Sequence, residues 1–344
     1  MTPRRVLICE DSRVYAAALR RTLEHDGDIT VAAVCPTAEQ AIAALPRVTP
    51  DLVTMDIELP GMDGLQAVKK IMSARPVPIL VLSAHVGSGG VQAAAALAAG
   101  ALDAVAKDDL DLRDPAGTAA AAFRRRVNVL SRARVIRHLG GGVKADTAVA
   151  GRRVASVVGI CASTGGPQVL AQLLAALPPG YPIPLLIVQH LGAGFTESLA
   201  RWLGNTGRLP VSIATDGQRA GPGAWLAPEG AHLKLTASGR LALDRHTVLG
   251  HHRPSGDALL QSIATAAGRL GVGIVLTGIG TDGAAGAAAV REAGGMAIAQ
   301  DEESSAVFGM PKAAIGQGVG LALSPGEIAA VLRRLRPGAL GVPP

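Results

Sequence analysis

Short apolar runs alternate with segments of helical spacing through the first part of the chain. The runs predict strands at 6–9, 31–34, 52–55, 79–82 and 104–106. After each run, alanine and leucine recur at helical spacing, which predicts helices at 15–24, 38–45, 65–74, 91–99 and 116–126. Five strand–helix repeats are typical of a doubly wound α/β domain with a parallel sheet.

A second alternation begins at Val154. It predicts strands at 156–160, 185–189, 211–214, 224–227, 273–276 and 296–299. Helices are predicted at 168–176, 196–203, 255–268, 283–293 and 326–336, with a hairpin at 232–244. The stretch 154–196 holds no charged side chain, but glycine and proline clusters cut it into short pieces. It therefore fits buried parallel strands better than a spanning helix, and we expect no membrane insertion.

The positive charge of the 344-residue chain is concentrated in one short segment. The formal net charge is +6, to which residues 1–123 contribute −4, residues 124–153 contribute +8 and residues 154–344 contribute +2. We therefore predict two α/β domains, at 1–123 and 154–344, joined by a basic linker at 124–153. Because only 2% of residues are aromatic and the second domain is nearly neutral, we expect no nucleic-acid partner.

Cysteine usage and the N-terminus bear on the compartment. The cysteines are far apart and form no C-x-x-C pair, so neither a disulfide framework nor a thiolate zinc site is expected. The first residues lead directly into an acidic strand end and lack the apolar region of a signal peptide. We expect a cytoplasmic protein.

Chemistry-bearing side chains follow the predicted strands of the first domain. Glu10 and Asp11 follow the first strand, Asp56 the third, Ser83 the fourth and Lys107 the fifth. Ligands of open parallel sheets collect at these carboxyl ends, and three carboxylates in one place suit Mg²⁺. Asp56 would be the nucleophile that forms an acyl phosphate, with the lysine and the hydroxyl holding the phosphoryl oxygens. The alternative is that each acid only caps a helix.

The same rule selects a serine, a histidine and an aspartate in the second domain. Ser163 follows the first strand there, His190 the second, and Asp282 lies in the loop after the strand at 273–276. Together they can act as nucleophile, base and orienting acid. We expect the backbone N–H groups of Ile279 and Thr164 to form the oxyanion hole.

The glycines around Asp282 support a rival hypothesis. Residues 278–283 match G-x-G-x-x-G after a strand and before a helix, and Asp301 stands where a ribose-binding acid is expected. A dinucleotide-binding enzyme controlled by the first domain is therefore the alternative function. Against it, Asp282 would set a carboxylate beside the pyrophosphate, and the motif begins too late in the chain for a complete nucleotide fold. A second domain that serves only as an interaction module is a further alternative.

The other histidines and two polar residues receive structural interpretations. The pair 251–252 lacks matching ligands for a metal. Ser255 and Asp257 are expected to cap a helix. The remaining histidines are expected to lie on the surface or in satisfied core positions: His25, His85, His138, His232 and His246.

The first domain resembles the receiver domain of two-component response regulators. The resemblance rests on residues 8–12 and 55–64, on Ser83-Ala84 and on Lys107. It implies a flavodoxin-like fold, phosphorylation at Asp56 and Mg²⁺ held by the acidic residues. Two positions depart from the family: Ala104 replaces the usual aromatic that reports phosphorylation, and Asp108 replaces the usual proline.

The second domain resembles the chemotaxis protein-glutamate methylesterases. The matching segments keep the order of that family and lie at 159–167, 188–190, 252–255, 276–284, 298–302 and 308–311. The resemblance implies a Rossmann-like domain with Ser163, His190 and Asp282 as its triad. It also implies that the backbone of Ile279, where methionine is usual, contributes to the oxyanion hole.

The two resemblances together imply a regulated enzyme. The expected reaction is phosphorylation-controlled hydrolysis of glutamate methyl esters on methyl-accepting chemoreceptors, with release of methanol, and deamidation of specific receptor glutamines. The implied phosphodonor is the chemotaxis histidine kinase. The esterase reaction itself is expected to need no cofactor.

Overall fold

A computed structural model describes residues 2–83, 88–133, 135, 153–192, 194–248 and 252–339. The chain divides into two compact units, Met1–Arg137 with Leu191–Ser198 and His138–His190 with Leu199–Pro344. Each helix within the described residues is too short or too polar to serve as a membrane span.

The first unit is built on a parallel sheet with the order β2-β1-β3-β4-β5. Its strands are β1 (Arg4–Cys9), β2 (Ile29–Cys35), β3 (Leu52–Asp56), β4 (Ile79–Ser83) and β5 (Asp103–Ala106). Its helices are α1 (Arg13–Glu24), α2 (Ala38–Val48), α3 (Gly64–Ala74), α4 (Ser88–Ala98) and α5 (Thr118–Leu130). This is the flavodoxin-like strand order, and it confirms the predicted doubly wound domain.

Local sequence explains where several of these helices begin. The side chains of Ser12, Thr37 and Asp63 each accept a hydrogen bond from a backbone N–H in the first turn of α1, α2 and α3. Such caps satisfy amides that have no partner within the helix. Each of these helices then buries one apolar face, which combines alanine with leucine in α1 and α2 and alanine with valine and isoleucine in α3.

The helix at the end of the first unit is longer than predicted. It continues to Leu130 instead of ending at 126, so the receiver fold extends beyond the predicted boundary at 123. Arg124 is buried, with its Nε 2.6 Å from Asp26 Oδ2, and Arg126 lies 2.6 Å from Asp103. These two arginines therefore belong to the first unit and not to a linker. Most of the predicted linker, residues 136–152, lies outside the described residues.

The second unit contains a parallel sheet with the order β15-β14-β13-β7-β8-β10-β9, an antiparallel hairpin β11–β12 and a short parallel pair β6–β16. Its strands are β6 (Val154–Ala155), β7 (Val157–Ala162), β8 (Leu185–Gln189), β9 (Val211–Ile213), β10 (Ala224–Leu226), β11 (His232–Leu235), β12 (Leu241–Asp244), β13 (Gly271–Val275), β14 (Met296–Gln300), β15 (Leu321–Leu323) and β16 (Arg336–Pro337). Its helices are α6 (Gly166–Ala176), α7 (Thr196–Thr206), α8 (Gly256–Ala267), α9 (Ala284–Glu292), α10 (Met310–Gly316) and α11 (Pro325–Arg334). The first three residues of α7 fall in the segment Leu191–Ser198 that is grouped with the first unit. The predicted strands, helices and hairpin of this domain are all present.

Some short elements were not predicted. Strand β15 has three residues and helix α10 has seven, which is too little for a periodic pattern to stand out. The last helix ends at Arg334 instead of 336, because Arg336 precedes a proline and that position favours extended backbone.

The order of the second sheet places a crevice beside its central strand. The strand that follows β7 in the chain, β8, lies on one side of β7, and the later strand β13 lies on its other side. Open α/β sheets bind ligands outside the carboxyl ends of the strands at such a reversal. The loops that follow β7, β8 and β13 therefore define the place to look for a site.

Candidate active site

The nucleophile candidate sits in a tight turn between β7 and α6. The N–H of Ser163 donates to the carbonyl of Thr277, at 3.0 Å, which ties this turn to the loop after β13. A Cβ placed on Gly278 would lie 2.6 Å from Ser163 Cβ and 2.3 Å from Met310 Sδ. Only glycine permits this close approach, so the two loops pack directly against each other.

The histidine and aspartate candidates are in contact. His190 Nε2 lies 2.8 Å from Asp282 Oδ2. Since an ionised carboxylate only accepts hydrogen bonds, this contact assigns the imidazole proton to Nε2 and leaves the lone pair on Nδ1. Nδ1 is buried and has no hydrogen-bond partner among the described residues. The arrangement therefore offers Nδ1 as the proton acceptor for a nucleophile.

The carboxylate of Asp282 is held by the first turn of α8. Oδ1 accepts from Ser255 Oγ at 2.8 Å and from the N–H of Asp257 at 3.0 Å, and Oδ2 accepts from the N–H of Gly256 at 2.6 Å. Burial alone would raise the pKa of this carboxyl. The hydrogen bonds from His190 and from the backbone amides outweigh burial and hold the pKa of Asp282 well below its usual range. Asp282 is therefore a charged acceptor fixed beside the imidazole.

Two neighbours of His190 were not assigned a role from the sequence. His252 stacks on the His190 ring, with centroids 4.2 Å apart and planes 15° apart. Gln189 Nε2 donates to the carbonyls of Ser163 and His190, at 2.8 and 2.9 Å. Gln189 thus links the backbone of the serine turn to that of the histidine. The position of Gln189 at the end of a strand, just before His190, could have indicated its role from the sequence. The stacking of His252 depends on an irregular loop, and no sequence pattern predicts it.

Thr277 joins the loops around the serine. Its hydroxyl contacts the carbonyls of Thr164 and Val307, at 3.0 and 3.3 Å, and accepts from the N–H of Val307 at 3.0 Å. Its own N–H donates to Gln300 Oε1 at 2.9 Å. Thr277 is fully buried, so these bonds are made away from solvent and fix the loop that carries Asp282.

The predicted oxyanion residues lie in the loops that flank Ser163. Thr164 is buried next to the serine, and Ile279 follows the glycine that contacts it. Among the described residues, the N–H of Ile279 donates no hydrogen bond to the protein. An amide without a protein acceptor at this place is compatible with the predicted role, which stays a prediction.

The structure bears on the dinucleotide alternative at the N-terminus of α9. The carboxylate of Asp257 accepts the N–H of Gly286 there at 2.7 Å, so a protein anion already occupies the position that a pyrophosphate would need. Asp301, the predicted ribose acid, accepts from the N–H and the hydroxyl of Ser304. Ser255 caps α8 as predicted, and Asp257 also accepts an N–H in the first turn of a helix, although that helix is α9 and not the one in which it lies.

The remaining histidine predictions have mixed outcomes. His25 and His246 are exposed, and His232 is a satisfied core residue. His251, His85 and His138 lie outside the described residues, so the adjacent histidine pair is described only in part.

The first unit brings its predicted pocket together at the carboxyl ends of β1, β3, β4 and β5. Carboxylate oxygens of Glu10, Asp11 and Asp56 lie within 4.8 Å of one another, which suits a hard cation with oxygen ligands. Lys107 Nζ lies 2.6 Å from Asp56 Oδ2 and 2.8 Å from Glu10 Oε2. Ser83 is buried at the end of the neighbouring strand. Three carboxylates and one lysine therefore share one small pocket.

Burial and charge shape the titration of this pocket. Burial raises the pKa of Glu10, although the nearby Lys107 acts in the opposite direction. Burial alone would lower the pKa of Lys107, but its hydrogen bonds to Asp56 and Glu10 hold it above the ordinary value. The Tyr15 ring lies 4.6 Å from Lys107 Nζ, a cation–π contact that sequence reasoning missed. The lysine is therefore charged and is held towards Asp56 at neutral pH.

Comparisons with known proteins identify the family of each unit. Residues 158–332 match the family model "CheB methylesterase", and residues 6–113 match "Response regulator receiver domain". A "Protein-glutamate methylesterase/protein-glutamine glutaminase 3" of Myxococcus xanthus is 40% identical over 94% of this chain and 92% of its own length. A relative of Syntrophus aciditrophicus, "Protein-glutamate methylesterase/protein-glutamine glutaminase 1", is 38% identical over 96% of this chain and 98% of its own length.

A solved structure is similar to the second unit in both sequence and fold. The Thermotoga maritima CheB methylesterase catalytic domain is 38% identical and covers 52% of this chain and 97% of its own, with a TM-score of 0.50. The chain therefore belongs to the CheB methylesterase family and is a hydrolase that joins a response regulator receiver domain to a methylesterase domain.

Proposed function

We propose that this enzyme hydrolyses glutamate methyl esters on methyl-accepting chemoreceptors through a triad of Ser163, His190 and Asp282. The observation that carries the proposal is the 2.8 Å contact between His190 Nε2 and Asp282 Oδ2, which leaves a buried Nδ1 without a protein partner among the described residues. The names of the relatives, protein-glutamate methylesterase and protein-glutamine glutaminase, support glutamate methyl esters and glutamine amides of a protein as the substrate class.

The geometry suggests how each group acts. Ser163 Oγ attacks the ester carbonyl carbon while its proton passes to His190 Nδ1. Asp282 stabilises the imidazolium through Nε2–H, and the backbone N–H groups of Ile279 and Thr164 stabilise the oxyanion. The intermediate collapses to a glutamyl-serine ester, and the proton on Nδ1 leaves with methanol.

The second half of the reaction reuses the same groups. A water molecule gives a proton to His190 Nδ1 and attacks the acyl carbon, and Ser163 leaves with that proton. The product is a glutamate carboxylate. With a glutamine amide in place of the ester, ammonia leaves instead of methanol, so the same groups carry out deamidation of specific receptor glutamines.

Methanol release from methylated receptor tests the triad. We expect Ser163→Ala to reduce the rate by roughly three or more powers of ten, because a missing nucleophile leaves only binding and oxyanion stabilisation. Ser238→Ala is the matched control, since this exposed serine contacts Thr236 Oγ1 in the hairpin turn between β11 and β12. Near wild-type turnover by Ser163→Ala would contradict the mechanism.

We further propose that phosphorylation of Asp56 regulates the hydrolase, with a chemotaxis histidine kinase as phosphodonor and the cytoplasm as the compartment. The contact of 2.6 Å between Lys107 Nζ and Asp56 Oδ2 supports it, since it sets a cation where phosphoryl oxygens would arrive. Glu10, Asp11 and Asp56 would hold Mg²⁺, which supplies neutralisation of the charge on the phosphoryl group. Lys107 and Ser83 would contact the phosphoryl oxygens.

A small-molecule phosphodonor tests this regulation. Acetyl phosphate with Mg²⁺ is expected to increase the rate of methanol release by the wild-type chain. Asp56→Asn should abolish the increase, as should chelation of the metal, whereas Asp111→Asn on the exposed surface should retain it. An equal increase in the Asp56→Asn variant would refute phosphorylation at this residue.

A further inference from the structure

One buried histidine outside the triad is bonded to the turn that holds Asp282. His232 begins strand β11 and is fully buried. Its Nδ1 accepts the N–H of Ser255 at 3.1 Å, and its Nε2 lies 3.0 Å from the carbonyl of Thr247. Both ring nitrogens are therefore engaged with backbone groups from two different loops.

These two partners assign the protonation of His232. A backbone N–H can only donate, so Nδ1 must present its lone pair to Ser255. A carbonyl can only accept, so Nε2 must carry the proton that it donates to Thr247. His232 is thus a neutral ring with one acceptor and one donor, each facing the group that needs it.

Ser255 carries this contact to the catalytic carboxylate. Its Oγ donates to Asp282 Oδ1 at 2.8 Å, and the next two residues, Gly256 and Asp257, donate their N–H groups to the same carboxylate. Among the described residues, the turn that starts at Ser255 therefore supplies three of the four hydrogen bonds to the side chain of Asp282, and the fourth comes from His190. His232 fixes the N–H at the beginning of that turn.

We propose that His232 is a positioning residue for ester hydrolysis, which acts through Ser255 to hold Asp282 against His190. The proposal rests on the proposed function, because it concerns the triad that performs the reaction. It assigns the role to the acceptor at Nδ1. The donor at Nε2 anchors the ring to the loop after β12.

Two substitutions separate these two halves of the ring. The amide oxygen of asparagine can take the place of Nδ1, so His232→Asn keeps an acceptor for Ser255 and loses the reach to Thr247. The longer glutamine places its amide near Nε2, so His232→Gln keeps a donor for Thr247 and loses the acceptor. Asparagine is also the smaller side chain and leaves the larger cavity, so a purely structural role predicts that His232→Asn is the more damaged variant.

The measurement is methanol release from methylated receptor by the full chain, with kcat and KM determined separately and thermal unfolding followed in parallel. We expect His232→Gln to lower kcat by roughly 10- to 100-fold, because a displacement of about 1 Å at the reacting groups can cost about 100-fold, with KM within about twofold. His232→Asn should stay within about threefold of the wild-type kcat although its unfolding temperature is the lower of the two.

The outcomes separate the two proposals. A wild-type enzyme that releases no methanol overturns the proposed function itself. If the wild type is active, three results overturn the positioning role of His232. They are equal kcat losses in the two variants, kcat losses that follow the unfolding temperatures of the variants, and no kcat loss in either variant. A larger kcat loss in His232→Gln than in the less stable His232→Asn supports it.

Discussion

Replacement of Asp282 by asparagine is the sharpest test of the arrangement around His190. Within the part of the chain that the structure describes, the carboxylate accepts hydrogen bonds from four donors, namely His190 Nε2, Ser255 Oγ and the N–H groups of Gly256 and Asp257. An asparagine side chain offers one acceptor oxygen and one donor amide. One of the two carboxylate positions must therefore become a donor that faces other donors.

Each orientation of the amide has its own cost. With the NH₂ at the Oδ2 position, His190 avoids repulsion only by moving its proton to Nδ1, which removes the base from the side of Ser163. With the NH₂ at the Oδ1 position, the N–H of Asp257 loses its acceptor, and an unpaired buried amide costs about 1–3 kcal/mol. Both orientations also remove the charge that stabilises the imidazolium.

We expect Asp282→Asn to lower kcat for methanol release by roughly 10³- to 10⁴-fold, as for the corresponding change in serine proteases, with a small change in KM. The free energy of unfolding should fall by about 1–3 kcal/mol at neutral pH. The pKa of Asp282 is held below its ordinary value, so its stabilising charge is present above about pH 4 and is lost as the pH falls through the lowered pKa. The difference in stability between wild type and variant should therefore shrink at acid pH.

The assay and its control are direct. Methanol release gives kcat and KM, and denaturant unfolding at several pH values gives the stability. Asp216→Asn is the control, because this exposed carboxylate accepts the N–H of Leu243 and changes no contact of His190. A kcat for Asp282→Asn within tenfold of the wild type, in a folded protein, would refute the assignment of Asp282 as the orienting acid.

Two further predictions concern the packing beneath the site. Gly278→Ala should lower kcat at least tenfold, because its Cβ would come within 2.3 Å of Met310 Sδ and 2.6 Å of Ser163 Cβ. The control is Gly316→Ala, whose Cβ would meet nothing within 4 Å and which should keep the wild-type kcat. Equal rates in the two variants would contradict the close packing of Gly278. Burial raises the pKa of the Cys161 thiol far above its ordinary value, so little reactive thiolate forms. The folded enzyme should therefore keep its rate of methanol release after treatment with iodoacetamide. Inactivation at the rate at which a free thiol is alkylated would show that this cysteine is accessible.

The positions of the chemically important residues were predictable because they follow strands. Parallel strands bring their carboxyl ends to one edge, so a list of polar residues after apolar runs already selects Ser163, His190 and Asp56. Asp282 lies several residues into its loop, and the sequence alone left open whether that loop binds a nucleotide or orients a histidine.

The unpredicted features depend on contacts between residues far apart in the chain. Arg124 was counted with the linker because its neighbours are basic, but it pairs with Asp26 nearly a hundred residues earlier and is buried in the first unit. The stacking of His252 on His190 and the bonds of His232 also join separate loops. Local pattern does not record such contacts, since no periodicity or spacing changes when they form.

Asp257, beside the glycine loop at 278–283, and Asp282, within that loop, occupy the helix N-termini at which a phosphate would otherwise bind. Asp282 lies in the loop before α9 but holds the first turn of α8, and Asp257 lies in the first turn of α8 but accepts an N–H from α9. The N-terminus of α8 is thus neutralised by the carboxylate of Asp282, and the N-terminus of α9 by the carboxylate of Asp257. Neither N-terminus is left to bind a phosphate. What remains for Gly278 is the close approach to Ser163, which any larger residue would prevent. Gly280 and Gly283 have φ of 94° and 86°, in the left-handed region that favours glycine. The glycine spacing that resembles a nucleotide-binding loop is therefore explained here by the packing of Gly278 against Ser163 and by the backbone conformation of the other two glycines.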